Sequence, residues 1–292
     1  FKWLTQLPGP VNAPPALGDL NGNGSAEVVV ASDDGFVRCL SGEGAVNWEF
    51  ATGSTNACGP VISDVNGDGS PEILFGSDGE RFYCLGADGR KLWDFGVEGT
   101  VETTVAVADL EWDEEAEILF SAGAGLVYCL SPGGEVKWKQ QLQGRIDSAP
   151  AVLDVDRDVK FESVWGTKDN WLYLLGAEGE VLSSWNAGTN IVASPLALAN
   201  PGDTRWASRA DAWVVVPLFG GKVLCWDPSP WAGGWVAPWP MRRFDAAQTG
   251  CRPDPRRMET SSGAVVVRSG RGDDLPAVAR SGAPSAGQRM PA

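Results

Sequence analysis

Apolar residues along this chain come in short runs, each closed by an acidic or glycine-containing break. The clearest stretch runs from Cys58 to Phe95. Pro60-Val61-Ile62 leads into the loop DVNGDGSPE (64–72), and Ile73-Leu74-Phe75 climbs out of it to the turn Ser77-Asp78-Gly79. Phe82-Tyr83-Cys84-Leu85 follows, then Ala87-Asp88-Gly89, then Lys91-Leu92-Trp93-Asp94-Phe95. Runs this short, bounded by Gly or Asp-Gly that accept positive φ, predict four strands joined by three turns.

The same pattern recurs along the chain. The first loop aspartate stands at Asp19, Asp64, Asp109 and Asp154, a constant spacing of 45. The third-strand position reads Cys39, Cys84, Cys129 and Leu174, with Cys225 after a longer gap. The fourth-strand tryptophan reads Trp3, Trp48, Trp93 and Trp138, with Trp185 two residues late. A four-stranded unit repeating every ~40–50 residues is the signature of a propeller blade. The predicted fold class is therefore all-β: a β-propeller of four-stranded blades with five recognisable repeats. They fall at about 11–50, 56–95, 101–141, 146–187 and 191–239, within a propeller spanning 1–250. Lys2 to Leu7 match only a fourth strand, which predicts an N-terminal strand closing the ring and leaving no open edge. The fifth repeat loses its acidic loop to 200–209. Residues 251–292 are rich in Pro, Arg, Gly and Ser and predict a flexible tail.

Charge narrows the functions. The net charge is −15, and the tail from 252 holds seven Arg against four acids, so residues 1–251 carry −18. Such a body does not bind nucleic acid through phosphates, which requires Lys and Arg. It suits a cation binder. No apolar run reaches the ~18–20 residues of a membrane span. Without an initiator Met or a signal peptide, Phe1 reads as a processed or trimmed start. The sequence has no histidine, which removes Ser-His-Asp and Cys-His catalysis and His-ligated zinc or haem. The cysteines of the third-strand column are expected to be buried, unbridged thiols, because equivalent strands of different blades stand too far apart. Cys58 and Cys251 are the remaining candidate pair.

The acidic loops carry the candidate chemistry. Asp19, Asn21, Asn23 and Glu27 occupy loop positions 1, 3, 5 and 9, as do Asp64, Asn66, Asp68 and Glu72. Oxygens at alternate positions of a tight loop can converge on Ca²⁺, which takes six to eight oxygen ligands. Gly24 and Gly69 permit the turn, and Ser25 and Ser70 offer a backbone carbonyl. The other reading of such a loop is a plain acidic turn between strands. The third loop has Asp109, Glu111, Asp113 and Glu117 but Glu114 in the glycine position. The fourth has Asp154, Asp156, Asp158 and Glu162, with Val159 in that position and Lys160 beside it. Calcium is expected in the first two loops and more weakly in the other two, chiefly as a stabiliser of the acidic body.

DLNGNGSAE and DVNGDGSPE resemble the calcium loops of FG-GAP/VCBS-type repeats, the blades of integrin α-subunit heads and of many bacterial surface proteins. GADGRKLW (86–93) resembles the tryptophan-docking motif of PQQ-type propellers. WPMRRFDAAQTG (239–250) resembles a segment found at the ends of such bacterial propellers. The first two likenesses together cover about 1–227 and imply a shared blade architecture, calcium in the loops, and tryptophans packed between blades.

The leading functional expectation is a non-catalytic secreted, periplasmic or cell-surface propeller that binds or scaffolds another protein or a polysaccharide. Its working face is expected opposite the calcium loops, at Asp33-Asp34, 78–81, 168–170 and the turns 52–56, 97–102 and 142–147. Two enzyme readings compete: a PQQ-dependent dehydrogenase and a calcium-dependent polysaccharide lyase. Trp226, Trp231, Trp235 and Trp239 could stack on sugars or plug a seam of the propeller. Arg271-Gly272-Asp273 matches an adhesion tripeptide, but three residues in a basic tail read as coincidence.

Overall fold

The computed structural model describes residues 2–199 except 57, 102, 156, 157, 190 and 192–194, together with 212–219 and 222–226. For 196–199, 212, 213, 222, 225 and 226 only the backbone is described. The first of two compact units, Phe1–Pro253, contains every described strand, and the second, Asp254–Ala292, lies outside the described residues.

Among the described residues all regular structure is β. The first sheet comprises β1 (Ala16–Gly18), β2 (Glu27–Ser32), β3 (Phe36–Leu40) and β4 (Val46–Ala51). The second comprises β5 (Val61–Ser63), β6 (Glu72–Ser77), β7 (Arg81–Leu85) and β8 (Lys91–Gly96). The third comprises β9 (Ala106–Ala108), β10 (Glu117–Ala122), β11 (Leu126–Leu130) and β12 (Val136–Gln141). The fourth comprises β13 (Ala151–Leu153), β14 (Glu162–Gly166), β15 (Trp171–Leu175) and β16 (Val181–Asn186). The fifth contributes β17 (Leu196–Ala199), β18 (Ala212–Leu218) and β19 (Lys222–Trp226). Each is an antiparallel meander in chain order, so these sheets are propeller blades.

Burial follows from that architecture. The second strands β6 and β10 are buried at every residue, whereas the outer strands β4, β12 and β16 alternate between exposed and half-buried positions. Large apolar side chains on both faces of a middle strand require sheets packed on both sides. Each core accordingly lies between two consecutive blades. Val29, Val37 and Cys39 meet Ile73, Phe75 and Tyr83, and Leu74, Phe82 and Cys84 meet Ile118, Phe120 and Tyr128. Leu119, Val127 and Cys129 meet Trp165, Tyr173 and Leu175, and Val164 and Leu172 meet Val214 and Val216. The rings of Phe82 and Phe120 stack across one interface with centroids 4.1 Å apart.

The tryptophan column ties blade to blade. The indole Nε1 of Trp3, Trp48, Trp93 and Trp138 donates to the carbonyl of Gly42, Ala87, Pro132 and Ala177 in the following blade, at 2.7–3.1 Å. Trp185 leaves that register. Ser183 pairs with Leu174 where the earlier tryptophans pair with cysteine, and Trp185 pairs with Leu172. It packs instead beside Ile191, Val214 and Leu218.

Residues 2–7, expected as a closing strand, form no ladder with any described strand. Trp3 and Thr5 are held by side-chain hydrogen bonds to Gly42 O and Gly44 O of the β3–β4 turn. These side-chain bonds join the segment to the first blade, and Pro8 and Pro10 lack the N–H groups to extend a ladder.

Candidate metal loops

In the first three blades the loop between the first and second strands is built around its first aspartate. In the first loop the Asp19 carboxylate accepts Asn23 N at 3.1 Å and Gly24 N at 2.7 Å. Asn21 Oδ1 accepts the same Asn23 amide at 3.1 Å, so two side-chain oxygens converge on one point. Asn23 Oδ1 accepts Ser25 N at 2.7 Å. The second loop repeats the scheme: Asp64 accepts Gly67 N and Gly69 N, Asn66 accepts Asp68 N, and Asp68 accepts Ser70 N. In the third, Asp109 accepts Asp113 N and Glu114 N, and Asp113 accepts Glu115 N. In the fourth, Asp158 accepts Lys160 N, and Asp154 is half-buried. Asp156 lies outside the described residues.

The position-9 glutamates lie at the base of the loops. Glu27, Glu72, Glu117 and Glu162 are all buried, at 1–4% exposure. Each uses Oε2 to accept the position-2 amide, from Leu20, Val65, Leu110 and Val155 respectively. They anchor the loop from below as the chain enters the second strand. Burial pushes the Glu72 carboxyl above the usual carboxylate range, with the Val65 hydrogen bond opposing it.

The other oxygen of that glutamate separates the blades. Glu27 Oε1 accepts Asn21 Nδ2 at 2.7 Å, and Glu72 Oε1 accepts Asn66 Nδ2 at 3.1 Å. Glu117 Oε1 instead accepts Lys137 Nζ at 2.6 Å. In the fourth loop the neighbouring ammonium turns away, and Lys160 Nζ pairs with Glu178 at 3.3 Å.

The left-handed position survives without glycine. Gly24 and Gly69 have φ of 83° and 89°, and Glu114 and Val159 keep 76° and 71° in the same place. The loop hydrogen bonds hold a conformation that costs an L-residue about 1–2 kcal/mol.

The donor set of the first two loops is all oxygen, which fits a hard cation. A Cβ on any of their glycines, Gly22, Gly24, Gly67 or Gly69, would meet nothing within 4 Å. Among the described residues no three Asp, Glu, His or Cys side chains are gathered closely enough to hold a metal by themselves. A cation in these loops would therefore draw on the asparagine and Ser25 and Ser70 carbonyl oxygens as well as on carboxylates.

One surface feature of this end went unread in the sequence. Trp112 takes the loop position held by Gly22 and Gly67, at φ 59°, and is 64% exposed. Its ring stacks on Phe161 of the fourth loop, centroids 5.8 Å apart, while Phe161 N donates to Leu110 O. A bulky residue in a glycine column was the available signal.

At the opposite end, Asp33 and Asp78 are half-buried, while Glu80, Arg81, Glu98, Lys168 and Asp169 are exposed. Asp34 is half-buried too, and belongs to an ion-pair network around the buried Arg38. Arg38, in the column held by Tyr83, Tyr128 and Tyr173, bonds Asp34 at 2.8 Å and Glu49 at 2.6 Å. The Arg38 hydrogen bond holds the Asp34 carboxyl below the ordinary carboxylate range.

Cys39, Cys58, Cys84 and Cys129 are free and buried. Burial pushes the Cys39 thiol up to about 11 and Cys58 to about 12. Cys58, the candidate partner of Cys251, stands as a free thiol donating to Thr103 O. Cys251, the tryptophans at 231, 235 and 239 and the Arg271-Gly272-Asp273 tripeptide lie outside the described residues, as do the side chains of Cys225 and Trp226.

Solved structures share the fold. BamB from Moraxella catarrhalis aligns at TM-score 0.53 and 15% identity, over 76% of this chain and 61% of BamB. BBS1N, in a crystal with ARL6DN, aligns at 0.52 and 14%, over 73% of this chain and 65% of that one. Saccharomyces cerevisiae Sqt1 aligns at 0.58 and 13%, over 73% and 58%. The chain thus spans less than two thirds of each. No curated protein matches it. The sequence model for the lambda-carrageenase β-propeller domain matches residues 1–63 and 89–195, more than half of the chain. By that match the chain belongs to the lambda-carrageenase β-propeller domain family.

Proposed function

We propose that this chain is a non-catalytic propeller that binds a polysaccharide outside the cytoplasm, with calcium steadying its first two loops. The exposed Trp112, backed by the half-buried Phe161, carries the ligand class, since an aromatic face left in water marks an interaction site and suits the C–H face of a sugar ring. Membership of a family described by a carrageenase supports a polysaccharide over other macromolecules. The absence of histidine, and the commitment of the buried glutamates to backbone amides, support binding rather than catalysis.

Asp19, Asn21, Asn23 and Ser25, and Asp64, Asn66, Asp68 and Ser70, are the residues that would hold calcium. The resemblance of both loops to FG-GAP loops supports this reading. Bound calcium supplies positive charge against a body of −18 and closes the loops more firmly. Loops of modest charge fill where calcium is millimolar, which supports an extracytoplasmic setting.

Titrating tryptophan fluorescence with neutral and sulfated galactans, with and without calcium, tests the ligand. Saturable quenching in the wild type, weakened at least about tenfold in Trp112→Ala, supports the proposal; a tenfold loss corresponds to ~1.4 kcal/mol. Equal affinity in the variant contradicts it. Release of unsaturated sugar would replace it with the lyase reading.

A second reading, docking of a protein on the opposite end, draws on the mixed charges of Glu80, Arg81, Glu98, Lys168 and Asp169. Charge reversals at Glu80 and Lys168 that abolish capture of a partner, while glycan binding stays absent, would favour it.

A further inference from the structure

We infer that Lys137 is the resident cation of the third loop, so that this blade holds its acidic loop without a divalent metal. The inference concerns loop three alone and stands whether or not the first two loops take calcium.

The position-9 glutamate needs a partner for each of its carboxylate oxygens. Its Oε2 is always met by the position-2 amide, and its Oε1 needs a donor in a buried place. In the first two blades position 3 is asparagine, and its Nδ2 is that donor. In the third blade position 3 is Glu111, which when ionised has nothing to donate and adds a second negative charge. Two carboxylates facing each other in a half-buried site repel strongly unless a cation stands between them.

Lys137 supplies it from the outer strand β12. Its Nζ lies 2.5 Å from Glu111 Oε2 and 2.6 Å from Glu117 Oε1. The three side chains are 29%, 30% and 1% exposed, so the ammonium is shielded and its partner at the base of the loop is fully enclosed. Burial works against the charged lysine, but the hydrogen bonds to Glu111 and Glu117 outweigh it and hold Lys137 above the ordinary lysine range. Burial still leaves Glu117 raised, with the Lys137 hydrogen bond opposing. The equivalent outer-strand residues are Asn47, Leu92 and Leu182. The lysine appears in the blade where glutamate replaces asparagine at position 3.

A divalent ion in this loop would have to displace an ammonium already bonded to two of the four carboxylates. The tethered lysine gives up no translational freedom on binding, whereas a free ion does.

Trp112, in the same loop, serves as a built-in antenna for luminescent Tb³⁺, a hard trivalent substitute for calcium. The experiment compares tryptophan-sensitised Tb³⁺ emission in the whole chain for wild type, Trp112→Phe, Lys137→Met and Lys137→Met/Trp112→Phe. The difference between each protein and its Trp112→Phe counterpart isolates the third loop from the first two. The wild type should show no such difference, and Lys137→Met should gain it several-fold. Lys137→Met should also melt about 5 °C or more below the wild type in chelator, and recover when metal is added. Lys137→Arg keeps the charge and should melt within a degree or two of the wild type, with no gain of emission.

Trp112-dependent emission in the wild type would overturn the inference, because it would mean that metal displaces the lysine. A Lys137→Met protein as stable as the wild type and dark to Tb³⁺ would overturn it equally. If Lys137→Met does not fold, the wild-type pair and the Lys137→Arg melt decide. Loss of calcium binding at Asp19 and Asp64 would leave all these readings unchanged, so the two proposals fail separately.

Discussion

Trp93 of the second blade stands directly on Gly134 of the third. A Cβ built on that glycine would come 2.8 Å from Trp93 Cδ2 and Cε3, and Gly134 has φ 83°. The same contact joins Trp3 to Gly44, Trp48 to Gly89 and Trp138 to Gly179, at 2.5–2.7 Å. Glycine here answers two demands at once, a left-handed turn and the room for an indole.

Gly134→Ala should therefore destabilise the chain by about 2–5 kcal/mol, combining left-handed strain of ~1–2 with overpacking of ~1–3. Urea denaturation followed by fluorescence measures it. Gly53→Ala, also at positive φ but with nothing within 4 Å of its Cβ, should cost only the strain. Equal losses at the two sites would remove the docking argument.

The left-handed residues of the third and fourth loops make the opposite prediction. Val159→Gly relieves ~1–2 kcal/mol of strain and gives back ~0.5–1 through the greater freedom of the unfolded chain. Val159 is 59% exposed, so little burial is lost. A net gain of up to about 1.5 kcal/mol is expected, and Gly69→Val should lose stability in the second loop. A destabilised Val159→Gly would show that the side chain contributes more than its strain takes away.

Glu72 sets a pH dependence. Its folded value lies above the ordinary 4.5, so between the two values the folded chain holds a proton that the unfolded chain has released. Its contribution to stability is present below 4.5 and lost as pH rises through the folded value. In chelator, Glu72→Gln should melt lower relative to the wild type at pH 4 than at pH 7. Parallel melting curves across that range would contradict the buried-carboxyl account.

The repeat, the strand count and the blade architecture were legible because they depend on local periodicity. Positions spaced by 45 carry the loop aspartate, the strand cysteine and the docking tryptophan, and the strands formed where the pattern placed them. The site was legible only in part. Position 9 read as a carboxylate added to the loop where the chain enters the next strand; that its side chain is buried under the loop and accepts the position-2 amide is set by packing, which spacing does not show. Lys137 lies 20 residues from Glu117 along the chain and reaches it only once β12 is laid at the blade's edge. The lack of glycine at Glu114 and Val159 read as a weakness of those loops, yet the backbone keeps the same left-handed turn there. Two or more hydrogen bonds to a buried or capping carboxylate outweigh ~1–2 kcal/mol of strain.

Whether calcium enters the first two loops is decided most directly by calorimetric titration of the metal-free whole chain, wild type beside Asp19→Ala/Asp64→Ala. The wild type should give a saturable binding heat that the double variant loses or sharply reduces. A wild-type titration without binding heat, or one that the double variant reproduces, would contradict the assignment of those loops to calcium.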